Sequence, residues 1–213
     1  MTIKRIFPHT DLYGITAEEY SRGRTNIEVT EELVRQGIRV IQYRAKEKSQ
    51  VERYRECLAL RKITRQAGVV FIVNDHIDLA LAVEADGVHV GQNDLPVPVV
   101  RSLVGEAMLI GLSTHSPAQA RAAVLAGADY LGVGPVFATA TKKDVVSPVG
   151  LEYVKYVAEN ISLPFVAIGG IKEENIGQVR ARGGRCFALV TEIVGAADIG
   201  QRVAALRRIL TLS

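Results

Sequence analysis

Eight short apolar stretches recur along the chain, at 11–16, 38–43, 69–73, 87–90, 108–112, 130–133, 165–168 and 186–190, and they read as runs rather than as apolar–polar alternation. Strands of that kind need cover on both faces, which is the situation of a parallel sheet walled by helices. Helical spacing or helix-end signals separate them: 26–36 closed by Gly37, 50–67 closed by Gly68, 77–83, 96–103 opened by Pro96 and Pro98, 117–126 with Ser116 as cap and Pro117 at the first position, 150–160, 172–181 and 198–210. Eight strands alternating with eight helices predict an α/β chain closed into a (β/α)8 TIM barrel, small for its class. An open doubly wound sheet is the alternative. It would normally carry a glycine-rich dinucleotide turn after the first strand, where 12–16 offers only Gly14.

With 213 residues, 48% of them hydrophobic, and no Trp, the chain can bury a large core, which favours one domain over 1–213, with 1–10 as a lead-in. No apolar span is long enough to cross a membrane, and the first residues lack the order of a signal peptide, so a cytoplasmic protein is expected. Cys57 and Cys186 fit buried thiols of a reducing compartment better than a disulfide. A net charge of +3 argues for neither nucleic acid nor membrane as a partner, and Arg202, Arg207 and Arg208 read as a solvated helix face. Small-molecule substrates are the expected partners, and a homo-oligomer is compatible with this reading.

In a barrel of this type the chemistry sits at the C-terminal ends of the strands, and here those ends are polar. The third run stops at Asn74-Asp75 and the fourth at Gly91-Gln92-Asn93-Asp94. Consecutive parallel strands joined by a crossover helix are sheet neighbours, so Asp75 comes close to Asp94. Two such carboxylates suit Mg²⁺, which takes one or two of them plus water and substrate phosphates. Helix capping by Asp75, Asp78 or Asp94 is the competing reading. Gln42, Arg44 and Lys46 follow the second run on one side of an extended segment, and Arg and Lys beside a metal make a polyphosphate site; surface pairing with Asp75 or Glu47 is the plainer account. Ser113 follows the fifth run, and the long irregular segment 134–149 holds Thr139, Thr141 and Lys142. Gly169-Gly170-Ile171 before a helix, with Val190-Thr191 opposite, suggests a second anion site, or else only a tight turn. His89 lies among apolar neighbours and reads as a packed, hydrogen-bonded histidine. His9, His76 and His115 have no zinc-ligand spacing.

The set LYGIT at 12–16, QYRAK, ND, HVGQND, GLSTHS, GADYLGVGPVFATATKKD and AIGGI resembles the thiamine-phosphate synthase family over nearly the whole chain. That family is a (β/α)8 barrel joining aminomethylpyrimidine diphosphate to thiazole phosphate, with release of pyrophosphate. The resemblance implies Asp75 and Asp94 as Mg²⁺ ligands. It implies Gln42, Arg44, Lys46, Asn74, Ser113 and Lys142 as contacts to the pyrimidine diphosphate, with Arg44, Ser113 and Lys142 catalytic and Lys142 on a lid. Thr139, Thr141, Gly170, Val190 and Thr191 are the implied contacts to the thiazole phosphate. One departure stands out: the family usually has Val-Ser-Ala-Ile where this chain has Val190-Thr191-Glu192-Ile193, and Glu192 would repel a phosphate unless it points away. A thiazole tautomerase-like isomerase and a catalytically silent phosphate-binding barrel are the rivals. The isomerase would not need QYRAK and the paired aspartates, and the silent barrel would release no pyrophosphate.

Overall fold

The computed structural model describes residues 10–45, 47–139 and 147–212; the lead-in before Thr10 lies outside them. Eight strands, β1 (Tyr13–Ile15), β2 (Val40–Tyr43), β3 (Val70–Asn74), β4 (Gly87–Val90), β5 (Leu109–Thr114), β6 (Tyr130–Val133), β7 (Phe165–Ile168) and β8 (Cys186–Ala188), pair in sequence order, every pair parallel. A bridge between Leu12 and Phe187, with Phe187 N–H donating to the Asp11 carbonyl at 2.9 Å, joins the first strand to the last. The ring closes, and the open-sheet alternative falls.

The helices are α1 (Asn26–Arg35), α2 (Gln50–Ala67), α3 (Ile77–Ala82), α4 (Val97–Val104), α5 (Pro117–Leu125), α6 (Gly150–Asn160), α7 (Ile176–Ala181), α8 (Val190–Val194) and α9 (Ile199–Leu212). Local chemistry fixes their ends. Thr25 and Ser49 form capping boxes with Glu28 and Glu52, and Gly68 closes α2 in the left-handed conformation at φ 65°. Several boundaries differ from the sequence expectation, and two of them change the elements after the last two strands. The eighth strand stops at Ala188, and Val190 opens an additional short helix that a purely apolar run does not announce. The seventh helix starts at Ile176 rather than Lys172, because Asn175 takes the Lys172 N–H on its Oδ1 (2.8 Å) and donates from Nδ2 to the Gly170 carbonyl (3.0 Å), holding 172–175 as a turn.

Side chains alternate across the barrel wall as the pleat requires. Leu12, Ile41, Tyr43, Phe71, Val73, Val88, Ile110, Leu131 and Phe187 pack outward against the helices. Tyr13, Ile15, Val40, Val70, Ile72, Leu109, Tyr130, Val166, Cys186 and Ala188 fill the inside. Gly111 is the inward residue that makes room for the largest of these: a Cβ there would lie 2.2 Å from Tyr130 Cζ and 2.4 Å from His89 Nδ1.

At the N-terminal end of the barrel one device occurs three times. Asp86 receives Arg61 on both oxygens (2.8 and 3.0 Å) and the Phe71 N–H at 2.8 Å. Asp129 receives Arg101 and the Ile110 N–H, and Asp11 receives Arg207 and the Leu12 N–H. Each Asp–Arg pair ties a strand's start to a helix, far from the polar end.

Candidate active site at the C-terminal ends of the strands

Because every strand runs the same way, the polar residues that end them share one face of the barrel. Gln42 is the last inward residue of β2, 4% exposed, and its Nε2 donates to the Tyr13 hydroxyl at 3.1 Å. Arg44 follows two residues on. Its N–H donates to Thr16 Oγ1 (2.9 Å) while Thr16 N–H donates to the Gln42 carbonyl (2.9 Å), so the end of β2 is laced to the end of β1. The Arg44 side chain is 8% exposed and its guanidinium lies 3.6 Å from the Glu19 carboxylate, not against Asp75 or Glu47. That separation is long for a charge-assisted hydrogen bond. Lys46 lies outside the described residues.

Asn74 ends β3 on the same face, opposite His89 of β4. Asp75 next to it has φ 62°, a conformation that Asp tolerates better than most residues, and its N–H donates to the His89 carbonyl at 2.9 Å. Asp94 accepts the Gly91 N–H on Oδ2 at 2.6 Å, which fixes the turn after β4. The caps of α3 and α4 are His76 and Pro96, neither with a side-chain capping bond, and Asp78 receives Gln50 instead, so neither Asp75 nor Asp94 is the cap that the plainer sequence reading made it. The two carboxylates therefore rise from the ends of adjacent, paired strands. An all-oxygen donor set of two carboxylates, with no thiol beside it and with both His89 ring nitrogens engaged elsewhere, fits a hard cation such as Mg²⁺. Among the described residues no group of three or more His, Cys, Asp or Glu is placed to hold a metal ion.

Ser113 lies within β5, which continues to Thr114 rather than stopping at Leu112, and Thr114 Oγ1 donates to the Gly132 carbonyl (3.1 Å) to hold the strand end. Ser113 Oγ is 2.9 Å from His89 Nε2, and Gln92 Nε2 donates to the Ser113 carbonyl at 2.6 Å. His89 is thus the hydrogen-bonded histidine expected from its apolar surroundings. Tyr13 and Tyr130, which sequence reasoning missed, are buried inside the barrel with their hydroxyls 3.0 Å apart, and burial pushes both phenols well above the usual tyrosine range. Their signal was the strand period: each sits at an inward position level with Gly111 or with Val40 of the neighbouring strand.

On the other side of the face, the segment after β6 is fastened to β7. Val136 N–H donates to the Ile168 carbonyl and Phe137 N–H to the Gly169 carbonyl, while Val149 and Gly150 return to the carbonyls of Pro135 and Val136. Gly169 and Gly170 have φ 96° and 63°, and a Cβ at Gly170 would sit 2.5 Å from the Ala138 carbonyl oxygen. The pair is therefore a close-packed turn that brings Gly170 beside the stretch leading to Thr139; Thr141 and Lys142 lie outside the described residues. No helix starts directly after this turn, contrary to the expectation for an anion site there. Val190 and Thr191 instead open α8. Glu192 lies 3.7 Å from the Arg202 guanidinium, which offsets its charge.

The comparisons with known proteins agree over the whole of this framework. Residues 12–193 match the family model described as thiamine monophosphate synthase. The chain is 66% identical over 201 residues to the thiamine-phosphate synthase of Pelotomaculum thermopropionicum, covering 94% of this chain and 92% of that one. It is 52% identical to that of Caldicellulosiruptor bescii, with 97% and 94% covered. The solved thiamine phosphate pyrophosphorylase from Pyrococcus furiosus superimposes with a TM-score of 0.88 at 34% identity, covering 97% of this chain and 98% of that one.

Proposed function

The chain belongs to the thiamine monophosphate synthase family, and from that premise we infer that it is a transferase that joins an aminomethylpyrimidine diphosphate to a thiazole phosphate, forming thiamine monophosphate and releasing pyrophosphate. The observation that carries the assignment of parts is the layering of the site. A buried amide, Gln42, lies deep in the apolar barrel, and charged groups, Arg44, Asp75 and Asp94, follow it at the rim. On this reading the heteroaromatic ring lies toward Gln42 and its diphosphate toward the rim.

Asp75 and Asp94 would hold Mg²⁺, and the bound ion supplies Lewis-acid neutralisation of the leaving diphosphate. Arg44, with Lys46 and Lys142, offsets the negative charge that grows on the diphosphate as the bond between it and the pyrimidine methylene breaks. Guanidinium suits this task because its planar fork reaches two oxygens at once, and exchanging its long contact to Glu19 for a diphosphate improves its partner. Asn74 and Ser113 orient the same substrate. Loss of the diphosphate leaves a pyrimidinylmethyl cation that the ring amino group delocalises. The thiazole nitrogen then gives its lone pair to the methylene carbon, and since that nitrogen carries no proton, no general base is required. Water would trap the cation, so exclusion of solvent is the part assigned to Lys142. Thr139, Thr141, Gly170, Val190 and Thr191 hold the thiazole phosphate.

No helix among the described residues is long and apolar enough to cross a membrane, and we place the enzyme in the cytoplasm, acting on small molecules. The test is pyrophosphate release from the two substrates with Mg²⁺, repeated with EDTA. Release that needs both substrates and stops with EDTA is expected. Release without the thiazole phosphate, or none at all, would refute the assignment.

A further inference from the structure

A nearly buried cation and a half-exposed anion face each other at the rim beside β1 and β2. The Arg44 side chain is 8% exposed, and the Glu19 carboxylate 3.6 Å from its guanidinium belongs to a side chain 48% exposed. Among the described residues that guanidinium makes no hydrogen bond, and Glu19 is its one charged partner within 4 Å. A guanidinium carries five N–H donors, so a single long ion pair leaves most of its capacity unused.

The neighbouring carboxylates are committed elsewhere. Lys48 pairs with both Glu18 and Glu56. Glu56 also accepts from the Tyr43 hydroxyl at 2.7 Å and from Asn26 Nδ2 at 3.2 Å, and Glu18 accepts from the same nitrogen at 3.3 Å. Together with the Ser21 hydroxyl, which donates to the Glu18 carbonyl at 2.9 Å, these contacts hold the single 3₁₀ turn Glu18–Tyr20 in place. Glu19 accepts no hydrogen bond among the described residues. Its backbone is therefore fixed beside the rim, while its carboxylate can turn to solvent or back to Arg44.

A site that stabilises charge growing on a departing diphosphate meets a difficulty once the bond has broken. The diphosphate ester has become pyrophosphate, with one more ionisable oxygen, so the cation that favoured departure holds the product harder than it held the substrate. We propose that Glu19 is a positioning residue that acts through Arg44: it competes with the diphosphate for the guanidinium, weakens the hold on pyrophosphate and so clears the site for the next turnover. This rests on the reading above that Arg44 meets the diphosphate. Competition of this kind acts on donor substrate and product alike and leaves the thiazole phosphate, across the face, untouched. Because Arg44 is so little exposed, salt screens the pair less than it would at the open surface.

The experiment titrates the full-length protein calorimetrically with pyrophosphate in the presence of Mg²⁺, alongside steady-state release from the two substrates. Glu19→Gln keeps the size of the side chain and removes its charge. It is expected to tighten pyrophosphate by about threefold or more, the order set by one unit charge a few ångströms away in a solvated setting. KM for the pyrimidine diphosphate should fall by a similar factor, and KM for the thiazole phosphate should stay unchanged. Glu19→Ala should do the same, whereas Glu159→Gln, which removes an equal charge from the exposed face of α6, should change nothing. Loss of a merely structural contact loosens ligands, so tighter binding is a readout that such a role would not give. Unchanged or weaker pyrophosphate binding in either Glu19 variant overturns the inference. So does equal tightening in Glu159→Gln, or an equal fall in KM for the thiazole phosphate. A wild-type protein that binds no pyrophosphate overturns it together with the reading of Arg44. Tightening in both Glu19 variants without any pyrophosphate release from the substrates would sink the synthase activity and leave the competition for Arg44 standing.

Discussion

Replacing Asp86 by Ala is expected to destabilise the barrel strongly without touching its chemistry. The carboxylate takes both terminal nitrogens of Arg61, at 2.8 and 3.0 Å, and the Phe71 N–H at 2.8 Å, with the two side chains only 14% and 16% exposed. Removal strands the guanidinium between α2 and the strand starts and leaves the backbone donor of β3 without its acceptor. Breaking a buried pair from one side costs about 3–5 kcal/mol, and an unpaired buried N–H about 1–3 kcal/mol. The two costs overlap, and water reaches the rim, so a net loss of about 3 kcal/mol follows. For a chain of this length each kcal/mol moves the melting midpoint by about 2–4 °C, so a drop of about 6–12 °C is expected by calorimetry or circular dichroism. Asp86→Asn keeps an acceptor for Phe71 and one weaker bond to Arg61, and should fall between. Turnover per folded molecule at 25 °C should be unchanged, since Asp86 lies at the end of the barrel away from the site. A midpoint within about 2 °C of wild type for Asp86→Ala would refute the reasoning.

At the other end of the barrel, Asp94→Asn keeps an acceptor oxygen for the Gly91 N–H but removes the charge, so it should leave the melting midpoint close to wild type while lowering kcat at least tenfold and flattening the dependence on Mg²⁺; unchanged kinetics would remove Asp94 from the metal site. Lys142→Ala should lower kcat with the fold unaltered, and wild-type rates would take Lys142 out of the mechanism. Burial pushes the thiols of Cys57 and Cys186 well above the usual range, so neither should react with iodoacetamide at neutral pH until the protein unfolds; labelling of the native protein at the rate of a free thiol would contradict the core described here.

The barrel was legible because every strand announced itself as an apolar run and every helix but α8 as a capped or periodic segment, and the order of pairing follows from short right-handed connections. The strand-end residues Gln42, Asn74, Asp75, Asp94 and Ser113 were legible for the same reason, since polar side chains closing apolar runs stand out. Boundaries set by side-chain hydrogen bonds were not. The turn that Asn175 closes delays α7 by four residues, and Thr114 prolongs β5 through a bond to a carbonyl 18 residues away. Tyr13 and Tyr130 went unmarked because their hydroxyl contact joins residues 117 positions apart, and Glu19 as a partner of Arg44 depends on the turn between β1 and α1. The Asp–Arg ties likewise join residues 25 to 196 positions apart, which no local pattern reveals.

The fastening of 135–137 to β7, and of Val149 and Gly150 back onto Pro135 and Val136, gives the peptide spanning them a shared stem of backbone hydrogen bonds. Lengthening a loop whose ends are already held adds little closure entropy, so the stem rather than the number of residues between its ends keeps the two ends together. For a protein engineer this fixes the joints: a graft that begins after Phe137 and ends before Val149 keeps all four fastening bonds.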